Sequence, residues 1–562
     1  MRCAIVLAFS CALTATLIAQ AVPSTPLNKS PEQLFAEENW PAVLSAVEAT
    51  PTRTADLDYY YATALAEVGR MNEAREAFLA GYRAHPHDKR FPIELGGIEF
   101  LSKHYAKSAD WLLIAARMSP RDAYVNDFLG SVFYLEGNLD AALKYWNRVD
   151  KPHIANVRSE PLPKVNPILL DRAFAFAPST TLHASELSAT EDRLQGMNLF
   201  PNYSLVLSTR SDQSFDLTFH AQERNGFGNS KFASLLSTFR GVFYQAITPE
   251  YYNIGHSAIN AQSLLRWDAQ KRRASFALSG PLRNNPRWRY RFGADLRNEN
   301  WDIRESFTGP APTLASLNLR REAVFASVTS LNSGRWSWSA AAELSHRDLR
   351  NVNPGSTLSP NLLLQGFELR QTTRLKYRLL NVPEKRFTST ANVSAETGRM
   401  LAQSVNAFFK PQASLVTHWL PHAQGDDLEM QHQLRVGDTI GDIPFDELFM
   451  LGLERDNDLP MRAHIGTRDG RKGSAPLGRK YFLSNWEMDK NLYNNGLIAF
   501  KLGPFLDVGH ITNGSTPIGS QKYLWDTGMQ LKLSALGVKF VLSYGRDLRT
   551  GKGAFYARSV IH

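Results

Sequence analysis

Cysteine is almost missing from this 562-residue chain: there are two, Cys3 and Cys11. Both fall within residues 1–21, which read as a secretory signal, with Arg2, an apolar run from Ala4 to Ile18, and Ala19-Gln20-Ala21 as a cleavage site. Without that segment no cysteine remains, which excludes disulfides and thiol chemistry. Long apolar runs are also missing. No stretch reaches the roughly 18 residues a membrane helix needs, although β-barrels cross membranes without such runs. The chain has no H-E-x-x-H, no P-loop and no glycine-rich dinucleotide turn. Gly255-His256-Ser257 lacks the closing glycine of a nucleophile elbow. His85-Pro86-His87 stands at a turn without acidic or thiol company, so it is not read as a metal site. No catalytic residue, cofactor site or metal site is expected, and the chain is not read as an enzyme. The net charge of +9 falls to about +8 once Arg2 is removed. Export argues against nucleic acid as the partner of this basic chain, and a lumen or anionic headgroups are the simpler destination for the arginines.

What the chain does have begins with a repeat. Pro86 and Pro120 are 34 residues apart, and Pro152 follows 32 later. Between them Leu65, Gly69, Ala74 and Phe78 recur as Leu95-Gly96, Leu112 and Ala115, then as Leu129-Gly130, Phe133, Gly137, Ala141 and Tyr145. This period over residues 30–152, with small residues where paired helices touch, resembles the tetratricopeptide repeat, an all-α solenoid with a concave groove that binds polypeptides. By that family's register the groove would present Tyr59, Arg90, Tyr124, Asp127 and Tyr134.

Residues 153–167 are rich in proline and polar side chains and read as a linker. Residues 168–226 then run as helices followed by two strands, Tyr203–Ser208 and Phe215–Ala221, with Ser185, Ser188 and Glu191 offering a helix start. The order resembles one polypeptide-transport-associated (POTRA) domain, a small α/β unit that receives client strands by edge pairing.

From residue 229 to 562 the pattern is strict alternation. Trp288, Tyr290, Phe292, Ala294 and Leu296 interleave with Arg289, Arg291, Gly293 and Asp295, and Trp336, Trp338, Ala340, Ala342 and Leu344 repeat the theme. Tryptophans at strand ends and an arginine-rich polar face favour a transmembrane antiparallel β-barrel over a soluble sandwich. About fifteen such segments can be counted, ten before a long irregular stretch and five after. Single-chain barrels have even strand numbers, so a sixteenth is expected, placed between Ser394 and Pro411.

The irregular stretch, residues 437–480, is too long for an ordinary loop. The two strands after it each carry an acid among apolar residues, Glu487 and Asp507, and a buried carboxylate needs a partner. Arg462 inside the stretch is the candidate. The order LG…MR, then a strand with Glu, then GPFLDVG, resembles the outer-membrane assembly and two-partner-secretion translocases (the bacterial surface antigen superfamily), over roughly Phe174 to the end. In that family a long loop folds back into a sixteen-stranded barrel, and the arginine of an (L/V)RG(F/Y) tip locks onto acids of the next two strands. Here the tip reads Met461-Arg462-Ala463-His464, so the arginine matches while the glycine and the aromatic do not.

The resemblance implies a protein of the outer membrane of a Gram-negative-type bacterium, with its N-terminal domains in the periplasm. It implies a monomeric barrel in outer-membrane lipid that takes an exported polypeptide client, or a periplasmic protein, and inserts or secretes it. A second reading, from a different class, is an exporter of an anionic polysaccharide, or a porin-like channel with a periplasmic protein-binding domain.

Overall fold

The computed structural model describes residues 29–228, 241, 245–304, 313–353, 358–401, 404–422, 427–495, 498–513, 518, 520–535 and 538–560. The signal-like segment 1–21 lies outside them. The chain divides into two compact units, Met1–Pro120 and Arg121–His562.

The first unit is helical: Pro31–Ala36, Trp40–Glu48, Ala55–Glu67, Met71–Ala84, Arg90–Leu101 and Tyr105–Met118. A further pair, Ala123–Leu135 and Leu139–Trp146, opens the second unit. The 34-residue period has a physical basis in each pair. Ala62, Gly96 and Gly130 are the small positions of the leading helices, and Phe78, Leu112 and Trp146 are the large positions of the following ones; all six are buried. A Cβ on Gly96 would lie 2.8 Å from Leu112, and one on Gly130 would lie 2.2 Å from Trp146. The turn inside each pair needs a left-handed residue, supplied by Gly69, Lys103 and Gly137 at φ 82°, 59° and 70°.

The second unit continues with a four-stranded sheet packed on two helices, Pro167–Ala173 and Ala184–Met197. Its central strands are His153–Glu160 and Phe215–Gln222, paired in parallel, with Asn202–Thr209 antiparallel on one side and Thr180–Thr181 on the other. The segment read as a linker therefore supplies a central strand of the sheet. Its sequence, HIANVRSE, has one fully buried residue, Ile154, and its pairing partner lies some sixty residues on, so no local pattern announces it.

The rest is one long antiparallel sheet whose strand order is that of a barrel. It takes in eighteen strands. Two of these, Thr467–Arg468 and Arg471–Lys472, form a hairpin of the long loop. Another two, Ala246–Ile247 and Glu250–Ile254, share one neighbour, Ile259–Trp267. Fifteen wall positions remain among the described residues, ten before the loop and five after it. The region from Ser394 to Pro411 holds the end of Phe387–Met400 and the start of Phe408–Trp419, paired with each other, and no further strand among the described residues. No sixteenth wall strand is found among the described residues.

Outward-facing residues such as Phe292, Leu296, Val324, Leu369, Val393 and Trp486 are each about half exposed or more, an apolar belt much larger than a water-facing sheet carries. Turns at one end dock on the α/β domain. Arg172 Nη1 donates to Asn284 O at 2.9 Å, Asn166 N to His256 O at 2.8 Å, and Arg378 Nη1 to Ser188 Oγ at 2.9 Å. The helix pair that opens the second unit, Ala123–Leu135 and Leu139–Trp146, reaches the same end, where Asn138 Nδ2 donates to Pro383 O at 2.8 Å and Lys144 pairs with Glu384 at 2.6 Å.

Candidate functional site

Register, which sequence alone does not give, sets the charges of the lumen. Arg266 lies directly opposite Arg273, Arg273 opposite Arg297, Arg297 opposite Arg321, and Arg321 opposite Arg347. Five inward arginines thus form a row across five adjacent strands. On the second half of the wall Asp507 faces Asp526, and Asp526 faces Asp547. Like charges directly opposite one another are unfavourable, so each row requires counter-charge from elsewhere. The long loop supplies both.

Against the arginine row the loop sets acids. Glu447 accepts from Arg347 Nη2 at 2.8 Å, Arg370 Nη1 at 2.7 Å and Arg321 Nη2 at 3.1 Å, while Asp446 accepts from Arg347 Nε at 2.9 Å. Arg347 also pairs with Glu368 on the neighbouring strand. Asp456 pairs with Arg266 at 2.9 Å and with Arg273 at 2.7 Å. Arg273 and Arg297 further share Asp295. Lys271 reaches Glu454 of the loop at 3.2 Å, and the loop's Lys472 reaches Glu299 at 2.7 Å.

Against the aspartate row the loop sets its tip. Arg462 Nη2 and Nε meet Asp507 at 2.5 and 2.9 Å, its backbone N–H donates to the same carboxylate at 3.0 Å, and Nη1 donates to Glu487 at 2.6 Å. The guanidinium lies 3.8 Å from the centre of the Phe505 ring, a cation–π contact. Asp507 is fully buried and Arg462 is 6% exposed. Ala463 N donates to Asp526 at 2.7 Å. The His464 ring lies between two acids, with Nδ1 2.9 Å from Asp526 and Nε2 3.9 Å from Asp547. His464 stands where the resembled motif has an aromatic, and its ring interacts with the aspartate row. Gly545 lets the tip approach the wall, because a Cβ there would lie 2.4 Å from Arg462 O.

Loop contacts with wall residues from Arg266 round to Asp547 mean that the sheet curls about this loop, which fills its centre. Toward the end away from the α/β domain the loop packs on the wall through an apolar cluster that includes Trp301, Ile303, Leu317, Phe408, Phe445 and Leu448. A second cluster, with Leu451, Met461, Leu483 and Ile511, packs beneath the tip. The loop is less irregular than its sequence reads: Phe449–Met450 pairs with Leu477–Gly478 at its neck, and the hairpin near its end bridges Lys472 to Trp301.

Of the residues read from sequence, Arg462, Glu487 and Asp507 are brought together. Asn485, Gln530 and Lys532, which complete their bonding, were missed. Asn485 shares strand and parity with Glu487, and Gln530 and Lys532 share parity on Ser520–Ala535, the strand after that of Asp507, which is the signal that could have found them. The five expected groove residues are distributed differently. Tyr59 packs 6.1 Å from both Phe78 and Phe91 and donates to Glu94, and Arg90 is held by Asp56 and Asp88. Asp127 pairs with Lys151, and Tyr134 donates to Leu207 O. These four are occupied within the chain, because residues in that register fill contacts between neighbouring elements. Tyr124 is 57% exposed.

No protein-family model matches this chain, and no curated protein matches it. Among solved structures, BamA from Haemophilus ducreyi lacking POTRA domains 1–3 is 11% identical, covering 73% of this chain and 84% of that one with a TM-score of 0.42. CdiB from Escherichia coli is 12% identical, covering 73% of this chain and 76% of that one with a TM-score of 0.49. A MamA structure is 14% identical, covering 21% of this chain and 70% of that one with a TM-score of 0.20.

Proposed function

We propose that this chain is an outer-membrane translocase or assembly factor, in which a sixteen-stranded barrel inserts or secretes an exported polypeptide. In this reading the helical repeats are tetratricopeptide repeats that capture the client in the periplasm. The α/β domain is a single POTRA domain that hands the client on, and the loop governs the lumen without any catalytic chemistry. The observation that carries the reading is the inward loop, whose arginine is clamped between Glu487 and Asp507. The apolar outward belt supports the membrane location.

The test is Arg462→Ala in cells, at a barrel content matched to wild type, with surface and secreted polypeptides compared by mass spectrometry. The reading expects a defined set of polypeptides to be lost from the surface while the barrel still inserts. An unchanged profile contradicts it. The second reading, a duct for an anionic polysaccharide, is favoured by the arginines of the lumen. It expects an open, anion-selective conductance that Arg462→Ala leaves unchanged.

A further inference from the structure

The arginine row is not the end of the lumen's positive charge. Between it and the α/β domain lies a cavity of about 560 Å³, bounded by Gly196 and Asn198 of that domain and by the near ends of the wall strands. Into it face Arg289, Arg291 and Arg374. Among the described residues no carboxylate pairs with any of the three. The acid lining the same cavity, Glu343, is held by Arg321 and Arg370. Arg289 is 8% exposed, and its Nη1 is buried without a hydrogen-bond partner. Leaving such a group unpaired is costly. Arg291 rests over the Phe325 ring at 5.4 Å. The cavity shares Thr329, Ser339 and Arg374 with a larger one of about 900 Å³, which runs to Asn457, Asp458 and Pro460 on the loop. The two cavities thus adjoin between the α/β domain and the loop, and the one next to the domain is cationic, with Arg289, Arg291 and Arg374 unpaired by carboxylates among the described residues.

We infer that the cavity next to the domain is a binding site for carboxylate-bearing segments of polypeptide, with Arg289, Arg291 and Arg374 as the recognising groups. The choice of polypeptide follows from what the same wall already holds. The strand that carries Arg374 also carries Arg370, and the strand paired with it, Trp336–Arg350, carries Arg347. Further along, Arg347 and Arg370 are occupied by Glu447 and, on another strand of the same sheet, Arg273 by Asp456, both from one acidic stretch of peptide chain contributed by the loop itself. Guanidinium groups in an enclosed space bind carboxylates bidentately, more strongly than in open water. An acidic client segment would therefore meet in this cavity the chemistry that the loop meets further along. This inference rests on the translocase reading and names the feature of the client that is recognised first.

The test uses the full-length barrel in nanodiscs and three fluorescent probes: a glutamate-rich peptide, its glutamine counterpart of equal length, and a sulfated dextran. The glutamate peptide is expected to bind at least tenfold more tightly than the glutamine peptide, with the difference lost in high salt. Arg291 and Arg374 are exposed to the lumen, so Arg291→Gln with Arg374→Gln should fold normally and cut that preference at least fivefold, leaving glutamine-peptide binding unchanged. Arg289→Gln, at the buried member, should act in the same direction. Equal binding of the two peptides overturns the inference while leaving the translocase reading intact. Binding of the dextran with neither peptide bound overturns both.

Discussion

Replacing Arg462 with alanine removes a guanidinium from between two acids, and the structure sets the size of the loss. Glu487 keeps Lys532 at 2.7 Å and Gln530 at 2.9 Å. Among the described residues Asp507 keeps only Asn485 Nδ2 at 2.7 Å and the backbone N–H of residue 462 at 3.0 Å, and it is fully buried. Removing one partner of a buried pair costs about 3–5 kcal/mol. The bonds that survive place this case near the lower end, at about 3 kcal/mol. At about 1.4 kcal/mol per decade, the tip should open roughly a hundredfold more often. Hydrogen exchange in nanodiscs reads this directly: amides of residues 459–466 should exchange about a hundredfold faster, while those of the wall strand Thr313–Ser330 stay protected. Adding Asp507→Asn should recover much of the loss, because the orphaned charge is then gone. Unchanged exchange at the tip, or two losses that simply add, would refute the reasoning.

The opposite anchorage is separable: Glu447→Gln takes the counter-charge from three arginines and should speed exchange at residues 443–450 at least tenfold without loosening the tip. In the first unit a Cβ on Gly96 would strike Leu112, whereas one on Gly97 would meet nothing within 4 Å. Gly96→Ala should therefore destabilise its helix pair by about 1–3 kcal/mol, and Gly97→Ala should stabilise it by roughly 0.5–1 kcal/mol, both read by hydrogen exchange of the full chain. In the α/β domain, burial first and then the neighbouring Asp140 push the Glu191 carboxyl up to about 7. The folded state therefore holds this proton where the unfolded chain has released it, so stability falls as pH rises from about 4.5 to 7. Glu191→Gln should strengthen that domain by on the order of 2 kcal/mol at pH 8 and change little at pH 4. Protection of the helix Ala184–Met197 at the two pH values checks this.

Alternation along residues 285–304 and 336–350 is enough to say which side chains face inward, because a strand has a period of two whatever its partner. Helix pairing is equally legible, since Gly96 and Gly130 are small for a reason that recurs every 34 residues. The Arg462 clamp could be found because an acid among apolar residues demands a counter-ion. The row from Arg266 to Arg347 could not, since it exists only once five strands are set in register, and a shift of one residue in any pairing would dissolve it. Glu447 shows the same limit: its three arginines lie between 77 and 126 residues away in the chain. The strand His153–Glu160 is hidden for a related reason, being defined by a parallel partner at Phe215–Gln222 rather than by its own pattern. Tyr134 reads as a groove residue until its hydroxyl is seen bonded to a strand 73 residues away.

The central claim, that the arginine-bearing loop lies inside the sheet with its tip against the second-half strands, can be tested by a single cross-link. A Cβ on Gly509 would stand 2.9 Å from Met461 Sδ. With Cys3 and Cys11 replaced by serine, Met461→Cys and Gly509→Cys should oxidise to a disulfide in intact membranes and alter migration on a gel. Failure to join, with both cysteines open to a membrane-impermeant maleimide, would place the loop outside and contradict the account.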